Sequence, residues 1–116
     1  MSTAVLAPTT VTLTIPGVLT TNSIVTMAMP FAGTITGAYV AVTTAPTGAA
    51  LNADLKVGSD VAAAFSIAIS GTSDAGTLTA ANCDFAAGAL VSLDVSQIGS
   101  STAGSNMTVA FTVVEG

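Results

Sequence analysis

The chain has 116 residues, 51% of them hydrophobic, with one Lys or Arg, six Asp or Glu and no His, for a formal net charge of −5. That length fits a single domain with its own core, and a mean hydropathy of +0.83 is the reverse of the apolar-poor, charge-rich signature of disorder. One basic residue, Lys56, cannot neutralise a run of phosphates or hold an anionic membrane surface, so neither nucleic acid nor membrane is an expected partner.

Residues 1–8 carry Val5 and Leu6 but no charge, and they end at Pro8, which has no backbone N–H to give to a sheet. They read as an arm outside a single domain spanning residues 9–116, and Val5, Leu6 and Pro8 are the candidate interface residues. The arm lacks the basic start and long apolar centre of a secretion signal. Val11, Leu13 and Ile15 then alternate with Thr12 and Thr14, the period of a half-buried strand, and Pro16-Gly17 reads as the turn that ends it. Residues 24–29 (IVTMAM) form a second candidate strand. Residues 34–43 (TITGAYVAVT) form a third, with Gly37 inside it as a bulge signal.

After the turn at Pro46-Thr47-Gly48, Leu51, Ala53, Leu55 and Val57 alternate with Asn52, Asp54 and Lys56. Gly58-Ser59-Asp60 is hairpin chemistry. Next comes a strand whose inward set is Val61, Ala63, Phe65, Ile67 and Ile69. Its alanines, Ala62 to Ala64, favour helix, but the larger apolar residues fit period two. Residues 71–76 (GTSDAG) read as a turn, residues 77–80 as a short strand, and residues 80–87 as room for one helical turn. Ala89, Val91, Leu93 and Val95 mark another strand. Residues 99–104 (GSSTAG) turn the chain into the last, where Met107, Val109, Phe111 and Val113 alternate with Thr108, Ala110 and Thr112. About eight strands joined by Gly- and Pro-rich turns predict an all-β, antiparallel sandwich of jelly-roll or Greek-key type.

Catalysis is not expected. Without His the commonest general base is missing, and without Arg so is the planar anion clamp. Lys56 sits two residues from Asp54 on one strand, and a solvated ion pair between them is the plain reading. Asp54, Asp60, Asp74, Asp84, Asp94 and Glu115 are scattered through turns and polar strand faces rather than paired as in a glycosidase. Cys83 is the only cysteine, so no intrachain disulfide forms, no tetrahedral zinc site can be built, and a buried free thiol is expected. The 71–76 turn offers calcium one carboxylate only. No metal and no cofactor is expected.

Two longer stretches carry a resemblance. One is residues 31–40 (FAGTITGAYV) with residues 44–58 (TAPTGAALNADLKVG). The other is residues 85–100 (FAAGALVSLDVSQIGS) with residues 103–109 (AGSNMTV). Together they resemble a β-sandwich module of tailed-bacteriophage structural proteins, over roughly residues 31–114. Two turns depart from the pattern: Ala89 stands where an Asp is common, and Gly58-Ser59-Asp60 replaces an Asn-Gly-Thr turn. The resemblance implies a virion structural protein, most like a capsid decoration (cement) protein bound to the major capsid protein between capsomers. It also implies a homo-oligomer, with a trimer at threefold positions favoured. The alternative it leaves is a tail, baseplate or fibre module that contacts a host glycan. Such sites display aromatic rings, and Tyr39 is the one ring here with a polar handle.

Overall fold

The computed structural model describes residues 9–21 and 23–115. Residues 1–8, with Val5, Leu6 and Pro8, lie outside the described residues. The strands are β1 (Thr9–Val18), β2 (Ile24–Ala28), β3 (Gly33–Ala41), β4 (Leu51–Val57), β5 (Asp60–Ile67), β6 (Ser73–Ala75), β7 (Thr77–Leu78), β8 (Asp84–Phe85), β9 (Leu90–Gln97) and β10 (Ser105–Glu115). The one helical element among the described residues is a 3-10 turn, Ala80–Asn82. No helix among them is long and apolar enough to cross a membrane.

All the pairings are antiparallel, in two sheets. Sheet A has the order β1-β10-β3-β6, with β8 also paired to β3; sheet B has the order β2-β9-β4-β5-β7. Apart from the β4–β5 hairpin, each connection carries the chain from one sheet to the other. That order and those crossings are the double Greek key of a jelly roll. The all-β antiparallel sandwich is as expected, with ten strands among the described residues where about eight were expected. The two additions, β6 and β8, are three and two residues long. Residues 71–76, expected to turn, place Ser73, Asp74 and Ala75 against Ala41, Val40 and Tyr39. So short a segment shows no alternation of its own.

The core lies between the sheets. Met107, Val109, Phe111 and Val113 from β10, Val91, Leu93 and Val95 from β9, and Leu51, Ala53 and Leu55 from β4 are all buried, as their period-two spacing predicts. Bulges account for the places where the period breaks. In β3 the inward positions pass from Gly33 and Ile35 to Ala38, Val40 and Val42. The change of phase follows from Thr36, an extra residue beside Gly37, because Gly37 faces Thr112 while Ile35 faces Val113. In β5, Ala62 is extra in the same way, so Ala62 and Ala63 are buried together. That is why this alanine-rich strand looked ambiguous. Ile69 does not join the inward set. β5 ends at Ile67, and Ile69 is exposed in the following loop.

Pro16 does not end β1. The strand runs on to Val18 through a bulge between Ile15 and Val18, which is tolerated because β1 is at the sheet edge. The β4–β5 hairpin is tight. Val57 faces Asp60 across Gly58 and Ser59, and Gly58 has φ +62°, a left-handed backbone that glycine adopts without penalty.

Candidate functional site

The connections at residues 19–21, 42–50, 68–72 and 98–104 gather at one end of the sandwich, because β1, β3, β5 and β9 all finish there. None of these loops contains a charged residue. They are stitched together by backbone bonds. Thr47 N–H donates to Thr102 O at 3.0 Å, Ser70 N–H to Pro46 O at 2.8 Å, Ser101 N–H to Thr47 O at 3.0 Å and Leu19 N–H to Gly104 O at 3.0 Å. A Cβ at Gly99 would overlap the Thr102 carbonyl oxygen and stand 2.9 Å from the Thr47 backbone N and O, so this crossing needs a residue without a side chain. At the opposite end lie the start of β1, the β4–β5 hairpin and the end of β10, together with Asp60, Asp84 and Glu115. The molecule is therefore neutral at one tip and acidic at the other.

The outer face of sheet B carries Asp54, Lys56 and Asp94, while Asp74 is on β6 at the edge of sheet A. Asp54 on β4 is directly opposite Asp94 on β9. Lys56 Nζ donates to Asp94 Oδ2 at 3.1 Å, so the lysine's ion pair crosses to the neighbouring strand instead of joining Asp54 along its own. In an antiparallel ladder the diagonal neighbour is within reach of a long side chain. Burial pushes the Asp54 carboxyl above the usual carboxylate range; Lys56 draws it back and Asp94 adds to the rise.

Beside this pair is a depression of about 380 Å³, lined by Asn52, Asp54, Ala64, Phe65, Ser66, Asp74, Thr77 and Ser96. The Asp74 carboxylate accepts from Ser66 N–H at 2.8 Å, closing a backbone donor at the β5 edge. Asn52 Oδ1 is buried and accepts no hydrogen bond from the described residues. Asp54 and Asp74 bring two carboxylates to the depression and Ser66, Thr77 and Ser96 bring hydroxyls, with no His, Lys or Arg among the lining residues.

Tyr39 lies elsewhere. It is on the outer face of sheet A, 66% exposed, opposite Ala110 and Ala75. The ring–ring contact, Phe31 with Phe85 at 6.1 Å between centroids, is on other residues. Tyr39 and the polar depression thus occupy opposite faces of the sandwich and do not form one sugar-binding surface. Cys83 is a buried free thiol, within hydrogen-bonding reach of Thr79 O at 3.3 Å. Burial, with Asp84 next to it, raises its pKa above the ordinary value. A thiol held protonated is a poor nucleophile.

What sequence reading missed is the distribution of these groups along and around the sandwich. The available signal was the lack of any charge before Asp54, but its meaning depends on where β1, β2 and β3 lie.

No protein-family model matches the chain, and no curated protein matches it. Among solved structures, a chain of the cyanophage Pam1 capsid asymmetric unit is similar in fold, with a TM-score of 0.59 and 16% sequence identity over 97% of this chain and 86% of that one. At that identity the likeness is one of fold, and it covers both sheets of the jelly roll.

Proposed function

We propose that this chain is a non-enzymatic virion structural protein of a tailed bacteriophage, a decoration protein that binds the major capsid protein between capsomers and acts as a homo-oligomer, a trimer by the resemblance. The observation that carries this reading is the likeness in fold to a chain of a phage capsid unit across nearly the whole of both chains. Two features agree with it. Lys56 is held in an ion pair with Asp94, and a sandwich with little charge suits burial in an assembly.

The arm of residues 1–8 is proposed as the anchor. It joins β1 at Thr9, at the acidic tip. Burying Val5 and Leu6 contributes ~25 cal/mol per Å² of apolar surface. That gain is set against about 1–2 kcal/mol per ordered residue, so several arms acting together hold better than one.

The direct test is electron microscopy of particles carrying labelled protein, together with a chain that lacks residues 1–8. Label over the head lattice, with lower occupancy for the truncated chain, is the expected result. Label on the tail refutes the decoration role in favour of a tail or baseplate module. Full occupancy after truncation refutes the anchor alone.

A further inference from the structure

The two lateral sides of the sandwich are built on different principles. On one side the chain between residues 73 and 85 weaves from β6 in sheet A to β7 in sheet B and back to β8 in sheet A. These strands are three, two and two residues long. They close the edges of β3 and β5 with Gly76 N–H on Ala38 O at 3.0 Å, Asn82 Nδ2 on Val61 O at 2.9 Å and Asp74 on Ser66 N–H. Asp74 and Asp84 add charge. Short edge strands and edge charges are the devices by which a solitary sandwich prevents sheet-to-sheet pairing.

The other side has neither device. β1 ends sheet A and β2 ends sheet B, and among the described residues no strand pairs with the outer edge of either one. β1 is ten residues long and β2 five, and neither contains a charge. Val11, Val25 and Met27 are only partly buried between them. Val18 and Ile24 are 74% and 57% exposed. The bulge that holds Pro16 blunts one end of β1 and leaves Thr9 to Ile15 in regular register with β10.

We infer that this open β1/β2 side is a docking surface for a second copy of the same chain. Electrostatics favours this occupant. The chain carries a net charge of −5, with carboxylates at the acidic tip, on the sheet B face and on the closed side, so two copies meet without like-charge repulsion along β1 and β2. The strand pattern is also self-complementary. A two-fold axis perpendicular to the sheets, midway between Leu13 of one copy and Leu13 of the other, sets Val11 against Ile15, and it keeps Thr10, Thr12 and Thr14 on the outer face in both copies. In a ring, β1 of one copy meets β2 of the next. Each arrangement satisfies unpaired backbone groups on both strands. Edges of ten and five residues, with the connection between them, approach the roughly 20 residues per partner of a specific interface. This inference does not depend on the virion reading, and its test uses the free protein.

Sedimentation and amide hydrogen exchange of the wild type and of a Thr12→Lys/Thr26→Lys chain decide it. Both threonines are exposed, so lysine is accommodated by the fold while charging both edges. The expected wild type is an oligomer with β1 amides protected on both edges. The expected variant sediments as one 11.1 kDa chain, melts cooperatively, and exchanges the outer-edge amides of β1 at least tenfold faster. A wild type that is monomeric at every concentration overturns the inference. So does a variant that keeps the oligomer intact. A monomer with fully protected β1 amides also overturns it and assigns the edge to residues 1–8.

Discussion

Replacing Phe111 with alanine removes the ring from the middle of sheet A. Phe111 is 0% exposed. It sits on β10, between Val11 of β1 and Ala38 of β3. A buried ring of this kind removes about 150–250 Å² from water, which at ~25 cal/mol per Å² amounts to ~4–6 kcal/mol. Partial collapse around the cavity brings the expected cost to ~3–5 kcal/mol. Set against a total stability of ~5–15 kcal/mol, that loss is large. For a domain of this size it corresponds to a fall of roughly 10–25 °C in melting temperature. Tyr39→Ala is the control: it lies on the same sheet but on the outer face, and its expected change is within ~0.5 kcal/mol, as for other surface positions. The assay is thermal unfolding of both variants by circular dichroism, at one protein concentration. A Phe111→Ala chain that melts within ~3 °C of wild type, or a larger loss from Tyr39→Ala, refutes the inward placement of the β10 set.

Three further outcomes follow from the geometry. Asp54 has a folded pKa above its ordinary value of 3.8, so its ionisation opposes folding: the penalty is absent below pH 3.8, grows as pH rises through the raised value and is complete above it. Asp54→Asn relieves the burial penalty first and the Asp94 repulsion second, and gives up the attraction of Lys56, so a net stabilisation of at most ~1 kcal/mol is expected at neutral pH, as for other partly exposed charges, vanishing in acid; denaturant midpoints against pH check this, and a variant less stable than wild type at pH 7 contradicts it. Cys83, buried and with a raised pKa, is expected to react with a thiol reagent only as fast as the chain opens, and labelling of the native protein at the rate of a free cysteine would show the site to be accessible. Gly99→Ala forces the Thr102 carbonyl and the Thr47 backbone apart and is expected to cost ~1–3 kcal/mol, with faster amide exchange at Thr47; unchanged exchange there would mean that the loops reach one another by another route.

The sheet class and most of the core are legible in the sequence, because a strand that is buried on one face must alternate. β4, β9 and β10 show this residue by residue, from Leu51 to Leu55, Val91 to Val95 and Met107 to Val113. The glycine at position 37 marked the β3 bulge, where Thr36 is the extra residue beside it. The absence of His and the single Cys excluded whole classes of chemistry without reference to any fold. Other features exist only in three dimensions. The choice of jelly roll over another Greek key depends on which edges meet, a non-local matter on which periodicity is silent. Strands as short as β6, β7 and β8 derive their conformation from the β3 and β5 edges they close. The partner of Lys56 is Asp94 rather than Asp54 because the ladder puts a residue 38 positions away within closer reach than one two positions away. The uncharged β1 and β2 form an open lateral side only because they end their sheets together, where no strand among the described residues pairs with their outer edges.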